Sequence, residues 1–192
     1  ERLATTPIAD PNDAEQCGAL ACRKDGRLFV LLYNHAGPRG RGKVEALPYT
    51  SRGSPLGTCM RISVVVPTLD TKDLTRACVD AVFASRLPAE TELEVIVVDD
   101  GSSDGTGADL VGRPGIRVLR NERRTGFARA VNRGVGEATG DVLVLLNSDT
   151  EIEAGSLAYI VETFAAEESL GVAGAALVYP DGTPQWSAGR EP

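Results

Sequence analysis

One histidine and four cysteines are the only imidazole and thiol ligands in this chain. His35 stands in a Gly/Pro-rich stretch without a Cys or His at ligand spacing, and reads as a loop residue. Cys17, Cys22, Cys59 and Cys78 lack a repeated C-x2-C spacing, so they read as small neutral thiols of a reducing compartment. No apolar run approaches the roughly 20 residues that cross a bilayer. No basic segment followed by an apolar core opens the chain at Glu1, so no secretory signal is read in it. Two nucleotide fingerprints are also missing. There is no G-x4-G-K-S/T run, and no G-x-G-x-x-G follows the first strong strand, where the chain reads Val66-Pro67-Thr68-Leu69-Asp70.

Basic charge is scarce where it would matter for nucleic acid. Residues 1–59 carry eight basic and six acidic side chains, and residues 60–192 carry twelve and twenty-one. A phosphate backbone needs a basic surface, so the acidic second part argues against nucleic acid as the partner. It leaves room for a nucleotide, whose few phosphates one metal and a few donors can hold. Hydrophobic content of 42% and charged content of 24% are ordinary for a globular protein.

What is present divides near Met60. Residues 1–59 read as an appendage: a polar Pro/Asp-rich start, then two apolar runs (Ala19–Cys22 and Arg27–Tyr33) flanking Lys24-Asp25-Gly26, a hairpin signal. A Gly/Pro/Arg/Ser linker follows from Asn34 to Thr58. From Met60 strands and helices alternate. Strands are expected at 62–66, ended by Pro67, and at 93–98, 116–119, 142–146 and 172–179. Helices are expected from Asp70-Thr71, at 108–111, from Phe127 with a break at Gly134-Val135-Gly136, and around Leu157–Phe164. Pro180-Asp181-Gly182-Thr183 reads as a turn. Such alternation predicts an α/β domain with a mostly parallel sheet.

The central stretch is Val142-Leu143-Val144-Leu145-Leu146, five apolar residues that end on Asn147-Ser148-Asp149. A run this short and continuous reads as a strand buried on both faces. Open α/β sheets bind ligands beyond the carboxyl ends of their strands. Asp149 is therefore a candidate for a divalent cation, with phosphates completing its shell; a second reading has it capping the helix that follows. Three strand ends share this edge: Pro67–Asp70, Asp99-Asp100-Gly101 and Asn147–Asp149. Carboxylates at the second suit the directional donors of a base or ribose. Positive charge at the third suits a leaving diphosphate.

Four blocks carry a resemblance. They are Ile62–Thr68; Val97-Val98-Asp99-Asp100-Gly101-Ser102-Ser103-Asp104-Gly105-Thr106; Asn121, Gly126, Asn132-Arg133-Gly134 and Gly140-Asp141; and Leu146-Asn147-Ser148-Asp149-Thr150. In this order and spacing they resemble glycosyltransferase family 2, over about residues 60–190. With Val178-Tyr179-Pro180-Asp181-Gly182-Thr183-Pro184-Gln185 they look most like its rhamnosyltransferase-like subgroup. The resemblance implies a GT-A nucleotide-diphospho-sugar transferase fold, Rossmann-like and here truncated on its C-terminal side. It implies inverting transfer with Mg2+ or Mn2+, from a UDP- or dTDP-sugar to a saccharide or lipid-linked acceptor. The expected setting is cytoplasmic, at the inner face of a membrane reached through parts outside this chain.

Carried over residue by residue, Pro67 and Thr68 line the nucleotide pocket, and Asp99 and Asp100 bind base or ribose. Asp149 binds the metal, with Asn147 at the first position of the family's D-x-D. Arg129 and Asp141 support the pocket. Leu69-Asp70 stands where Tyr-Asn is common, which weakens stacking on the base there, and Asn147 replaces an acid. No match to the family's acidic general base is found before Pro192, so the base is expected beyond it. The alternative is a non-catalytic nucleotide-binding module with residues 1–59 as a docking appendage. An unrelated α/β nucleotidyltransferase lacks its Gly-rich loop here.

Overall fold

A computed structural model describes residues 28–32, 43–44, 60–167, 170, 172–175, 177–178 and 184–185. Six strands form one sheet in the order β5-β4-β3-β6-β1-β8, and every neighbouring pair is parallel. They are β1 (Leu28–Leu32), β3 (Met60–Thr68), β4 (Thr91–Asp99), β5 (Ile116–Arg120), β6 (Val142–Leu146) and β8 (Val172–Gly174). A small second sheet orders β10 (Pro184–Gln185), β9 (Leu177–Val178), β2 (Lys43–Val44) and β7 (Glu151–Ile152). The helices are α1 (Lys72–Ala84), α2 (Thr106–Leu110), α3 (Phe127–Glu137) and α4 (Ser156–Ala166). Among the described residues no helix is long and apolar enough to cross a membrane.

The strands β3, β4 and β6 are apolar on consecutive residues because helices cover both faces of the sheet. Side chains alternate along a strand, and the core accordingly splits into two clusters. Ile62, Val64, Val66, Val95, Val97, Val142, Val144 and Leu146 pack under α1, α2 and α4. Val65, Ile96, Val98, Leu143 and Leu145 pack under α3 through Ala130 and Val131. This parity decides which residue at each strand tip faces which side.

Several expectations are corrected. Pro67 does not end its strand: β3 runs to Thr68, with Pro67 opposite Val98 and Thr68 opposite Asp99. The Asp100 N–H donates to the Thr68 carbonyl, so Thr68 turns its backbone to β4 and Pro67 turns toward β6. Pairing of β3 with β6 has stopped by then, at Val65–Leu145. The missing proline donor therefore costs no ladder bond. Helix α3 is continuous through Gly134 and Gly136. A Cβ on Gly134 would come 2.4 Å from Val65 Cγ1 and 2.9 Å from Val98 Cγ2, so that glycine seats the helix on the sheet. The apolar run 172–179 yields two strands in different sheets, β8 and β9, parted after Gly174, which has no side chain to hold a strand.

Residues 1–59 also contribute to the sheets. β1 lies between β6 and β8, and β2 stands within the stretch read as a linker. The first arm of the expected hairpin, Ala19–Cys22, and the Pro180–Thr183 turn lie outside the described residues.

Candidate nucleotide-sugar site

Parallel register brings the tips of β3, β4 and β6 to one edge of the sheet. Over that edge lies an open cleft of about 210 Å³, lined by Pro67, Thr68, Leu69, Asp100, Arg124, Phe127 and Ala130. Three of the residues expected at the nucleotide, Pro67, Thr68 and Asp100, meet here.

Asp100 organises one wall of the cleft. Its Oδ1 accepts the Asn121 side-chain amide at 2.7 Å, the Thr125 hydroxyl at 2.6 Å and the Thr125 N–H at 2.9 Å. Its Oδ2 accepts the Gly126 N–H at 2.8 Å. Burial alone would raise the pKa of this carboxyl, but the hydrogen bonds from Thr125, Asn121 and Gly126 outweigh it and hold the pKa below its ordinary value. The loop 121–126 is thus tied to the β4 tip, and α3 starts directly after it.

Asp99 goes the other way. It is fully buried and does not line the cleft. Its Oδ1 accepts the Ser102 N–H at 2.8 Å. Its Oδ2 finds no hydrogen bond and lies 3.7 Å from Arg120 Nε. A Cβ on Gly107 of α2 would come 2.2 Å from the same oxygen, so this glycine makes room for the carboxylate. Two adjacent aspartates on a strand point to opposite faces. Asp99 belongs to the α1/α2 side with Val95 and Val97, and Asp100 to the α3 side with Ile96 and Val98.

A second loop pair is locked at the same edge. Asp70, with φ +50°, accepts the Ser103 N–H at 2.7 Å, the Ser103 hydroxyl at 3.1 Å and the Asp104 N–H at 3.3 Å. In return Asp104 accepts the N–H of Lys72, the first residue of α1, at 3.0 Å, and that of Thr106 at 2.9 Å. The Ser102 hydroxyl accepts the Asp70 N–H at 3.0 Å.

The β6 tip is a turn closed by the Thr150 N–H on the Asn147 carbonyl at 3.1 Å. It joins the β3 tip through hydroxyls: Ser148 to Thr71 at 3.0 Å, Thr71 to Thr68 at 2.8 Å, and Thr68 to Thr75 at 2.7 Å. Asp149 is partly exposed in a small recess with Leu74, Ala77, Cys78, Thr150 and Glu151. Burial, and then the Asp149 charge, push the Cys78 thiol far above its ordinary pKa, so it is a neutral packing group. The helix-cap reading of Asp149 does not hold, because β7 intervenes and α4 begins at Ser156 after Gly155.

No group of three or more His, Cys, Asp or Glu converges among the described residues. Mg2+ or Mn2+ here would have Asp149 as its carboxylate, with Asn147 two residues before it in the same turn, and would take further oxygens from a diphosphate and water. That donor set fits a hard cation that binds one or two carboxylates plus substrate phosphates.

Two supporting residues are corrected. Asp141 precedes β6 and so lies at the opposite edge of the sheet, where its Oδ2 accepts the Arg61 N–H at 2.9 Å. Five strand residues at about 3.3 Å each separate it from the tips. Arg129 is exposed on α3 and does not line the cleft; Arg124 does. Phe127 is a further lining residue that sequence reasoning used only as a helix marker. The signal for it was available: an aromatic residue directly after the loop that Asp100 ties down.

Comparison with known proteins bears on the family and the fold. The glycosyltransferase GlyG of Streptococcus pneumoniae is 35% identical over 92 residues, 46% of this chain and 30% of its own length. The dolichol-phosphate mannosyltransferase of Pyrococcus furiosus is 33% identical over 98 residues, 48% of this chain and 26% of its own. The chain thus spans less than a third of these relatives. Among solved structures, the mannosyltransferase PcManGT of Pyrobaculum calidifontis, in complex with GDP-Man and Mn2+, superposes with a TM-score of 0.51 at 28% identity, over 59% of this chain and 34% of that one. Its likeness extends the parallel sheet found here to a GT-A glycosyltransferase fold. Residues 63–192 match the family described as glycosyl transferase family 2, and the chain belongs to that family.

Proposed function

We propose that this chain forms the donor-binding part of an inverting glycosyltransferase that uses a nucleotide-diphospho-sugar. The observation that carries the reading is the cleft at the C-terminal edge of the sheet. It has Asp100 in its wall, and the Asn147–Asp149 turn is coupled to it through Thr71 and Thr68. Asp100 accepts from the base, with Pro67 and Thr68 beside it. Asp99, turned beneath α2, positions the loop after β4 through the Ser102 N–H rather than touching the ligand. Asp149, with Asn147 two residues before it in the same turn, would hold Mg2+ or Mn2+. When bound, the cation offsets negative charge on the leaving diphosphate. Asp100 orients the nucleoside, so that the sugar presents its anomeric carbon to an acceptor hydroxyl. Inverting transfer also requires an acidic general base to take the proton of that hydroxyl. The acceptor is a saccharide or a lipid-linked acceptor, and the second would bring the enzyme to the cytoplasmic face of a membrane.

Calorimetric titration with UDP, dTDP and GDP, with and without Mn2+, tests the reading. Binding that needs Mn2+ and falls at least tenfold in Asp149→Ala is the expected result. Binding indifferent to both Mn2+ and Asp149 would move the metal site elsewhere. Donor binding without transfer, in a chain extended past residue 192, would favour a non-catalytic nucleotide-binding module.

A further inference from the structure

We propose that Phe127 is the platform on which the donor's nucleobase stacks, making it a specificity-determining residue of the cleft. The inference rests on the nucleotide-binding reading above. Phe127 is the first residue of α3 and is 50% exposed, whereas Ala130 and Val131, one turn on, are buried. It lines the cleft together with Asp100. Among the described residues lining that cleft it is the only aromatic ring; Pro67 offers a smaller aliphatic ring and Arg124 a guanidinium.

The mount of this ring is rigid on both sides. The N–H of Gly126, directly before Phe127, donates to Asp100 Oδ2 at 2.8 Å. One helical stretch later, Gly134 sits so close to Val65 and Val98 that α3 cannot slide. Phe127 therefore keeps a fixed relation to the Asp100 carboxylate. That carboxylate retains capacity for a ligand. Oδ1 already takes three donors and Oδ2 takes one, against about two lone-pair positions on each oxygen. A base whose ring N–H meets Oδ2 must bring its edge to Asp100 and its face to a cleft wall. Aromatic carbon is the best surface for that face. The division of labour follows from chemistry: Phe127 contributes affinity for any base, and Asp100 selects bases with a ring N–H, as in uracil, thymine and guanine.

The test uses the whole 192-residue chain with Mn2+ and two kinds of probe, UDP and the base-free inorganic pyrophosphate. Phe127→Ala is expected to weaken UDP binding on the order of 10- to 100-fold, and Phe127→Tyr to restore it to within about threefold. Pyrophosphate binding should be the same in all three proteins. Phe127→Trp, made with Trp186→Phe, adds a direct readout: fluorescence quenched by UDP and not by pyrophosphate. The inference is overturned if Phe127→Ala binds UDP within twofold of wild type, or if UDP and pyrophosphate weaken equally, which would mean a structural role in the loop. Wild-type chain that binds pyrophosphate but no nucleotide overturns it together with the reading on which it rests.

Discussion

Replacing Asp100 by asparagine tests how the cleft is built. The substitution keeps the shape and changes one acceptor oxygen into a donor. If the amide oxygen takes the Oδ1 position, it keeps Asn121 and both groups of Thr125, but its NH2 then faces the Gly126 N–H across 2.8 Å. The other orientation sets a donor against three donors and is worse. One part-buried N–H loses its partner, at about 1–3 kcal/mol, and three charge-assisted bonds become ordinary ones. Removing a buried anion offsets part of that loss, and the net cost is about 2–4 kcal/mol, a large share of the roughly 5–15 kcal/mol of a typical domain. The pH dependence gives a second handle. A carboxyl whose folded pKa is depressed stabilises the fold fully above its ordinary value, here 3.8, and loses that contribution as pH falls through the folded value. Urea unfolding should therefore show the deficit of Asp100→Asn at pH 7 and a shrinking deficit below about pH 3.8. A deficit under about 1 kcal/mol at pH 7, or one equally large at pH 3, would refute the assignment of Asp100 as the anchor of loop 121–126.

Two glycines of α3 should respond in opposite directions. Gly134→Ala drives a Cβ to 2.4 Å from Val65 Cγ1 and should cost about 1–3 kcal/mol, whereas Gly136→Ala meets nothing within 4 Å and should gain up to about 1 kcal/mol from helix propensity; thermal melts of the pair decide it, and equal effects would contradict the packing described. A chain that starts at Met60 loses β1, which covers edges of both β6 and β8. Unpaired strand edges associate, so light scattering should find aggregates or oligomers, and a monomer with unchanged melting temperature would mark Met60 as a true domain boundary.

Much of the central sheet can be read from residue type alone. Val142–Leu146 announces a strand because five apolar residues between Asp141 and Asn147 fit no other element, and the structure ends that strand at the same residues. Long-range effects are what local pattern misses. Pro67 reads as a stop until the register shows that β6 has already left its side. Gly134 reads as a helix break until the sheet beneath it is in place. Asp141 is carried over from the family resemblance as a pocket residue, yet it precedes β6, and a parallel strand puts its two ends at opposite edges of the sheet. Asp99 and Asp100 could have been separated beforehand. Strand alternation, together with the helix assigned to each face, sends them to different layers, and only Asp100 toward the cleft.

The Asp99–Thr106 run also changes meaning once it is folded. As a sequence it invites a ligand-binding reading for every acid and every glycine. In the structure most of these groups bind the protein's own backbone. Asp104 holds the first N–H of α1, Asp70 answers by holding Ser103 and Asp104, and Ser102 is shared between Asp99 and Asp70. These bonds join the loops after β3 and β4 into one unit, as the hydroxyl chain from Thr68 to Ser148 joins β3 to β6. A site that binds a flexible nucleotide gains affinity when its walls are set before the ligand arrives. On that argument Asp99 and Asp104 serve the proposed donor indirectly, by holding the walls, and direct contact is left to groups that line the cleft, Asp100, Pro67, Thr68, Phe127 and Arg124 among them.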